Sequence, residues 1–160
     1  METSQRNATS LLVTRQEHKS VRELMTPTPL AASPNTPVDE ARALMQQHRI
    51  RHLPVLEDRR LVGMVSDRDI RLVLPSPATS LAVYEIGYLL TRLTVGEIMT
   101  YFPVPIGADR LIDEAVKRIL AYKVDALPVV EHGKLIGIIT RTNLLQAFLQ
   151  AQAALPVAAC

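Results

Sequence analysis

The chain has a single cysteine, Cys160, at its very end. An intramolecular disulfide and a multi-cysteine zinc site are thereby excluded, and a reducing compartment fits best. Tryptophan is absent and aromatic residues amount to only 4%, too few to supply stacking platforms for single-stranded nucleic acid. Neither charge dominates, with 18 basic against 16 acidic residues and a formal charge of +2. Bulk attraction to nucleic acid is therefore not expected, whereas one small anion in a pocket is compatible with this balance. No apolar run approaches the roughly 20 residues that a membrane helix needs. The first 20 residues carry Glu2, Arg6, Arg15, Glu17 and Lys19 around a very short Leu11-Leu12-Val13 patch, unlike a signal peptide. What is present, 48% hydrophobic and 21% charged side chains over 160 residues, predicts a soluble, cytoplasmic globular protein. A chain of this length buries roughly 70% of its unfolded surface, so its core needs no staples.

An internal repeat is the strongest signal. Val21-Arg22-Glu23-Leu24-Met25-Thr26 falls on Val95-Gly96-Glu97-Ile98-Met99-Thr100 without gaps. At the same offset Asp39-Glu40-Ala41 meets Asp113-Glu114-Ala115, Leu53-Pro54-Val55 meets Leu127-Pro128-Val129, and Leu61-Val62-Gly63 meets Leu135-Ile136-Gly137. Two copies of one unit, related by a pseudo-twofold axis, are expected.

Each copy reads as strand, helix, strand, strand, helix, a mixed α+β fold of α/β type. In the first, Pro29 to Ala32 is a short strand and Ser33-Pro34-Asn35 a turn. Thr36 is the predicted N-cap with Pro37 opening the helix. Val38, Ala41, Leu44 and Met45 form its apolar stripe to about His48. Ile50 to Leu56 and Leu61 to Val65 are strands around a polar turn. Ser66-Asp67 opens a second helix ending near Leu74. The second copy follows suit: Asp109 as cap, a helix over Leu111 to Tyr122, strands over Ala126 to Val130 and Leu135 to Ile139, and a helix from Arg141 to about Ala153. Residues 1–20 form an arm, 21–74 and 95–153 the repeats, 75–94 a linker helix with Leu81, Tyr84, Tyr88 and Leu89 as its stripe, and 154–160 a tail.

Met-Thr near the start of each copy, Leu-Pro-Val in its second strand, and the strand-to-helix turns Gly63-Met64-Val65-Ser66-Asp67-Arg68-Asp69 and Gly137-Ile138-Ile139-Thr140-Arg141-Thr142-Asn143 resemble a tandem cystathionine-β-synthase (CBS) domain pair, or Bateman module. The resemblance covers about Val21 to Phe148. The stretch Leu74 to Leu81 with Tyr84-Glu85 is similar to the stand-alone bacterial pairs related to acetoin-utilisation proteins. The resemblance implies a regulatory module that binds adenine nucleotides or adenosyl ligands in the cleft between its two repeats and dimerises. It implies a sensor and not a catalyst, with no obligatory cofactor.

The turns themselves suit that implication. A strand ending in a hydroxyl residue and turning into a helix gathers free backbone N–H groups and the positive end of a helix dipole, which favour an anion. Ser66 and Arg68 are candidate phosphate contacts, and Asp69 offers acceptor oxygens to a ribose diol. Ser66-x-x-Asp69 is equally a plain helix-capping arrangement. In the second turn Asn143 stands where the family pattern has Asp. It lacks the charge that strengthens acceptance, so the first site is expected to be the tighter, with Thr140 and Arg141 as the remaining candidates there. Arg49, Arg51 and His52 gather before Pro54 as a possible phosphate grip or a merely solvated face, with Arg49 and Arg51 expected to point together and His52 away. Lys123, Asp125 and Ala126 occupy the equivalent, less basic places in the second copy. Pro29 and Leu30, and Pro103 and Val104, are candidate pocket walls or ordinary core, as are Pro128, Met25 and Met99. His48 and His52 lie four apart with no third ligand, so no metal site is expected.

Enzymatic activity is not expected. There is no nucleophile with a positioned base, no Gly-x-Gly-x-x-Gly fingerprint and no phosphate loop ending in Gly-Lys-Ser/Thr. The rival reading is a dimerisation scaffold with a vestigial pocket, using Leu144, Leu145, Phe148 and Leu149 as an interface. DNA binding lacks a helix-turn-helix and sufficient charge. The expected partners are an adenosine-containing small molecule, a second copy of the chain, and a client protein in another chain, with neither nucleic acid nor membrane.

Overall fold

The computed structural model describes residues 19–74 and 83–153. The expected arm up to residue 18, the linker's first half with Leu81, and the tail with Cys160 lie outside these. Fourteen elements follow one another among the described residues. They are α1 (Val21–Leu24), β1 (Thr26–Pro27), α2 (Val38–His48), β2 (His52–Glu57), β3 (Arg60–Ser66), α3 (Asp67–Val73), α4 (Val83–Arg92), α5 (Val95–Ile98), β4 (Thr100–Tyr101), β5 (Ile106–Gly107), α6 (Ile112–Tyr122), β6 (Ala126–Glu131), β7 (Lys134–Thr140) and α7 (Arg141–Ala153).

The elements form two compact units. Among the described residues, one draws on 19–28, 104–132 and 136–153, the other on 29–74, 83–103 and 133–135. We call them the Thr140 unit and the Ser66 unit. Packing crosses the repeats, because each repeat's opening residues join the core of the other. Val21 is fully buried with Ile106, Ile119, Leu127 and Ile139, and Val95 is fully buried with Val38, Leu53, Val65 and Ile70. Such β-branched and aliphatic side chains each contribute about 1.5–3 kcal/mol when fully buried, more than enough to decide where a four-residue helix docks.

In the Ser66 unit the sheet order is β2-β3-β4. His52 pairs with Ser66, Pro54 with Met64 and Gly63 with Tyr101, all antiparallel. The expected strand Pro29 to Ala32 does not form. Only Ala32 bridges, parallel to Val55, receiving Leu56 N–H on its carbonyl and giving its own N–H to the Pro54 carbonyl, each at 2.9 Å. A separate strand, Thr26–Pro27, lies earlier and belongs to the other unit. There the order is β1-β7-β6-β5, with Thr26 antiparallel to Ile138 and Ile106 parallel to Val129.

The helices keep the stripes that their sequences dictate: Val38, Ala41 and Met45 on α2, and Ile112, Ala115 and Ile119 on α6. Their caps differ from expectation. Pro37, not Thr36, is the N-cap of α2, and Leu111, not Asp109, that of α6. The Thr36 hydroxyl is spent on Ser33 N–H at 2.9 Å, and Asp109 pairs with Arg22 at 3.2 Å. On α4 the expected stripe is reversed. Ile86, Leu90 and the following Leu93 face the core, while Tyr84, Tyr88 and Leu89 are exposed. A stripe counted from the aromatics missed that aliphatics fill this core. Tyr88 instead carries the Arg92 guanidinium over its ring, 5.8 Å from the centroid.

Candidate functional site

Both strand-to-helix turns fold as reciprocal caps. Ser66 accepts from Asp69 N–H at 3.3 Å, while Asp69 Oδ2 accepts from Ser66 N–H at 2.7 Å and from the Ser66 hydroxyl at 2.6 Å. The Thr140 turn repeats this, with Asn143 Oδ1 accepting from Thr140 N–H at 2.8 Å and from its hydroxyl at 2.6 Å. Capping geometry is therefore realised, but it uses only half of each side chain. At Asp69 the unspent atom is Oδ1, an acceptor. At Asn143 two donors fix the amide oxygen inward, so the unspent group is the Nδ2 amide, a donor. All four side chains are half-buried, with the remaining polar edge available to a hydroxyl.

The backbone brings the preceding strand to each turn. Asp67 N–H donates to the Arg51 carbonyl and Arg141 N–H to the Asp125 carbonyl, both at 2.9 Å. Around the Ser66 turn, the guanidinium groups of Arg51 and Arg68 bond no described residue and both residues are exposed, while Asp67 is held by Arg71 one helical turn on. Around the Thr140 turn, Arg141 is ion-paired with Asp125 at 2.8 Å and reaches the Val124 carbonyl at 3.5 Å. The guanidinium expected to meet a phosphate there is thus already engaged.

The other sequence candidates divide. His52 is half-buried at the first position of β2, opposite Ser66. Arg49 and Arg51 do not share a strand face, because Arg49 is the left-handed C-cap of α2 (φ 53°) and β2 begins only at His52. Pro54, Ala126 and Pro128 are buried in β2 and β6, alternating with Leu53, Val55, Leu127 and Val129, which belong to the two cores, and so standing on the opposite strand face. Pro29 is half-buried and Leu30 exposed, within the Ser66 unit. Among the described residues no three His, Cys, Asp or Glu side chains gather as a metal site.

Sequence reasoning missed two features. Met99 Sδ lies 2.3 Å from where a Cβ on Gly63 would stand, and Met25 Sδ 2.4 Å from that of Gly137. Each Met of the repeated Met-Thr is thus seated on the glycine of a site strand, a pairing announced by the shared repeat positions. The second is the Asp125–Arg141 pair. Its signal is a charge reversal, Arg51 and Asp67 in one repeat against Asp125 and Arg141 in the other.

The comparisons with known proteins bear on these turns. The CBS domain family matches residues 21–76 and 95–150. Inosine-5'-monophosphate dehydrogenase of Korarchaeum cryptofilum is 38% identical over 133 residues, 82% of this chain but 24% of that protein. The chloroplastic CBS domain-containing protein CBSX2 of Arabidopsis thaliana is 34% identical over 137 residues, 73% of this chain and 57% of its own length. The chain thus spans between a quarter and about three-fifths of these relatives. A crystal structure of CBSX2 in complex with AMP superposes with a TM-score of 0.66 at 35% identity, covering 83% of this chain and 98% of that one. The acetoin utilization protein AcuB of Vibrio cholerae shares the fold, with a TM-score of 0.67 at 24% identity over 86% and 98% of the two chains.

Proposed function

Since this chain belongs to the CBS-domain family, with two CBS domains in tandem, we propose that it is a regulatory module that senses an adenine nucleotide or adenosyl compound and signals its occupancy to a partner protein. The observation that carries the reading is its likeness to CBSX2, a CBS pair crystallised with AMP. The local chemistry supports it. The unspent Oδ1 of Asp69 suits a ribose hydroxyl, and the unpartnered Arg51 and Arg68 beside it suit a phosphate. Residues 51, 52, 66, 68 and 69 are the binding candidates of the Ser66 unit, and 140, 141 and 143 those of the Thr140 unit. The ligand acts through its differential affinity for two states of the protein, the only means by which binding can shift such an equilibrium.

The second reading, a scaffold without ligand, draws support from the apolar residues that α6 and α7 leave exposed. They are Leu120, Tyr122, Leu145, Phe148 and Leu149. In the sensor reading this surface serves a homodimer.

Binding to the native state raises stability by RT ln(1 + [L]/Kd), so thermal-shift measurements against AMP, ADP, ATP, NAD, S-adenosylmethionine and a GMP control decide between the two. A selective rise with an adenosine ligand, weakened by about 1–3 kcal/mol of affinity in Asp69→Ala, is expected. No shift at millimolar ligand would leave the scaffold.

A further inference from the structure

We propose that the two units take different adenosine ligands, the Ser66 turn a phosphorylated one and the Thr140 turn a nucleoside without phosphate. This rests on the sensor reading above and deepens it.

The two turns make the same capping and backbone bonds at equivalent positions, so their side chains can be compared place by place. Each retains one unspent polar group on its cap, Asp69 Oδ1 or Asn143 Nδ2, and a hydroxyl can satisfy either, because it both donates and accepts. The ribose is therefore common ground. The turns differ in what is left for an anion. At the Thr140 turn the one nearby guanidinium, Arg141, is neutralised by Asp125 at 2.8 Å, and Thr142 is uncharged. At the Ser66 turn the acid and base have changed places, giving Arg51 and Asp67, yet these two do not pair. Arg71 takes Asp67 instead, and the residue in Arg71's place in the other repeat is Leu145. Arg71 thus leaves Arg51 unpartnered, and Arg68 adds a second unpartnered guanidinium where the other turn has Thr142. Arg49 and Lys123 are equivalent cations and do not separate the sites. Two unengaged guanidinium groups against none is the difference, and phosphate is the only anionic part of an adenosine nucleotide.

Breaking the Asp125–Arg141 pair in favour of a phosphate would cost the second site its existing charge partner, whereas the first site loses nothing by engaging one. Exposed pairs are weak, but two free cations against none still sets a preference of about tenfold, given what one charged hydrogen bond contributes.

The test is isothermal titration of the full chain with AMP and with adenosine. Wild type should bind one AMP about tenfold more tightly than any second, and adenosine should bind one further site when AMP fills only the first. The variant R51Q/R68Q should weaken AMP by about tenfold or more and leave adenosine binding unchanged. Asp125→Ala, which frees Arg141, should tighten the second AMP. Two equal AMP sites in the wild type, or equal losses for AMP and adenosine in R51Q/R68Q, overturn the charge selection while leaving the sensor reading in place. An unchanged affinity for the second AMP in Asp125→Ala overturns the ion pair as the cause. Absence of binding by both probes removes the sensor reading itself, and this inference with it.

Discussion

Replacing Gly63 with alanine perturbs the contact on which the Ser66 strand is seated. A methyl at position 63 would stand 2.3 Å from Met99 Sδ, 3.0 Å from its Cγ and 3.2 Å from its Cε, all inside the separation of about 3.5–4.0 Å at which carbon atoms attract. Met99 is only 8% exposed and is enclosed by the Ser66 core, so either its side chain finds a new rotamer or β3 moves. Methionine adapts readily, which puts the cost in the overpacking range of about 1–3 kcal/mol. The lost freedom of the unfolded chain returns about 0.4–1 kcal/mol. The net loss is about 1–2 kcal/mol, and at about 2–4 °C per kcal/mol for a chain of this size the Tm falls by roughly 2–8 °C. Urea and thermal denaturation of Gly63→Ala, Met99→Ala and the double variant measure it. Met99→Ala alone empties a buried site and should lose about 2–5 kcal/mol. The new methyl fills part of that space, so the double variant should lose less than the sum by at least about 0.5 kcal/mol. Strict additivity, or a Gly63→Ala chain as stable as wild type, would refute the packing argument. Gly137→Ala should be the costlier of the two glycine variants. Its methyl meets the Thr26 backbone carbonyl at 3.1 Å as well as Met25, and a backbone oxygen held in a sheet cannot rotate aside.

Two further predictions concern the frame. Arg59 sits at φ 64° after Asp58 at φ 47°, both left-handed, as the two-residue hairpin turn that favours Asp-Gly requires. The equivalent turn is His132-Gly133 at φ 49° and 75°. Arg59→Gly should therefore raise the urea midpoint by an amount worth about 0.5 kcal/mol, after subtracting glycine's entropy from the left-handed penalty of about 1–2 kcal/mol. Gly133→Arg should do the reverse, and a lowered midpoint in Arg59→Gly would contradict the turn assignment. Acid sensitivity follows from Glu23 and Glu97, whose carboxylates are held below the usual range by the backbone N–H groups of Ser20 and Thr94 and then by their hydroxyls. A depressed native pKa favours the ionised form in the fold. The stability it adds is complete above the unfolded value of 4.5 and disappears as pH falls through the lower native value. Tm should drop on acidification below that point, and Glu97→Gln should flatten the drop. A variant with the wild-type acid slope would show that the bond to Thr94 contributes nothing.

The repeat and the strand-to-helix turns were legible because both are local. A glycine, an aliphatic run and a hydroxyl three residues before a carboxylate or amide specify strand, turn and cap within one stretch of chain, and Arg141–Ala153 was foreseen to its first residue. The destination of Val21 and Val95 was not legible. Neither the short helices they open nor the core that receives each is marked in the local sequence. The choice between the two cores rests on tertiary packing that no local pattern encodes. The strand expected at Pro29 to Ala32 reduces to one bridge for a local reason, since Pro29 has no N–H for a ladder. Charge was legible but its pairing was not. Arg141 looked like a phosphate ligand from its place in the turn, and only the Asp125 carboxylate, sixteen residues earlier in sequence, shows that it is engaged.

The cap and the binding candidate are the same side chain, and this governs how Asp69 must be tested. Asp69→Ala removes the bonds to Ser66 N–H and hydroxyl along with Oδ1, so it lowers stability by about 0.5–2 kcal/mol, the range for a lost cap, before any ligand is added. A loss of affinity in that variant mixes a frayed α3 with a missing contact. Asn143 supplies the remedy from within the chain, for it holds an equivalent cap through its amide oxygen. Asp69→Asn should therefore keep the wild-type Tm without ligand while exchanging the free acceptor for a donor and removing one negative charge. Ribose binding that depends on Oδ1 then weakens in a chain whose fold is unchanged, whereas binding that depends only on the geometry of the turn survives. An Asp69→Asn chain that melts early would instead mean that the carboxylate's charge, and not its hydrogen bonds, holds the turn together.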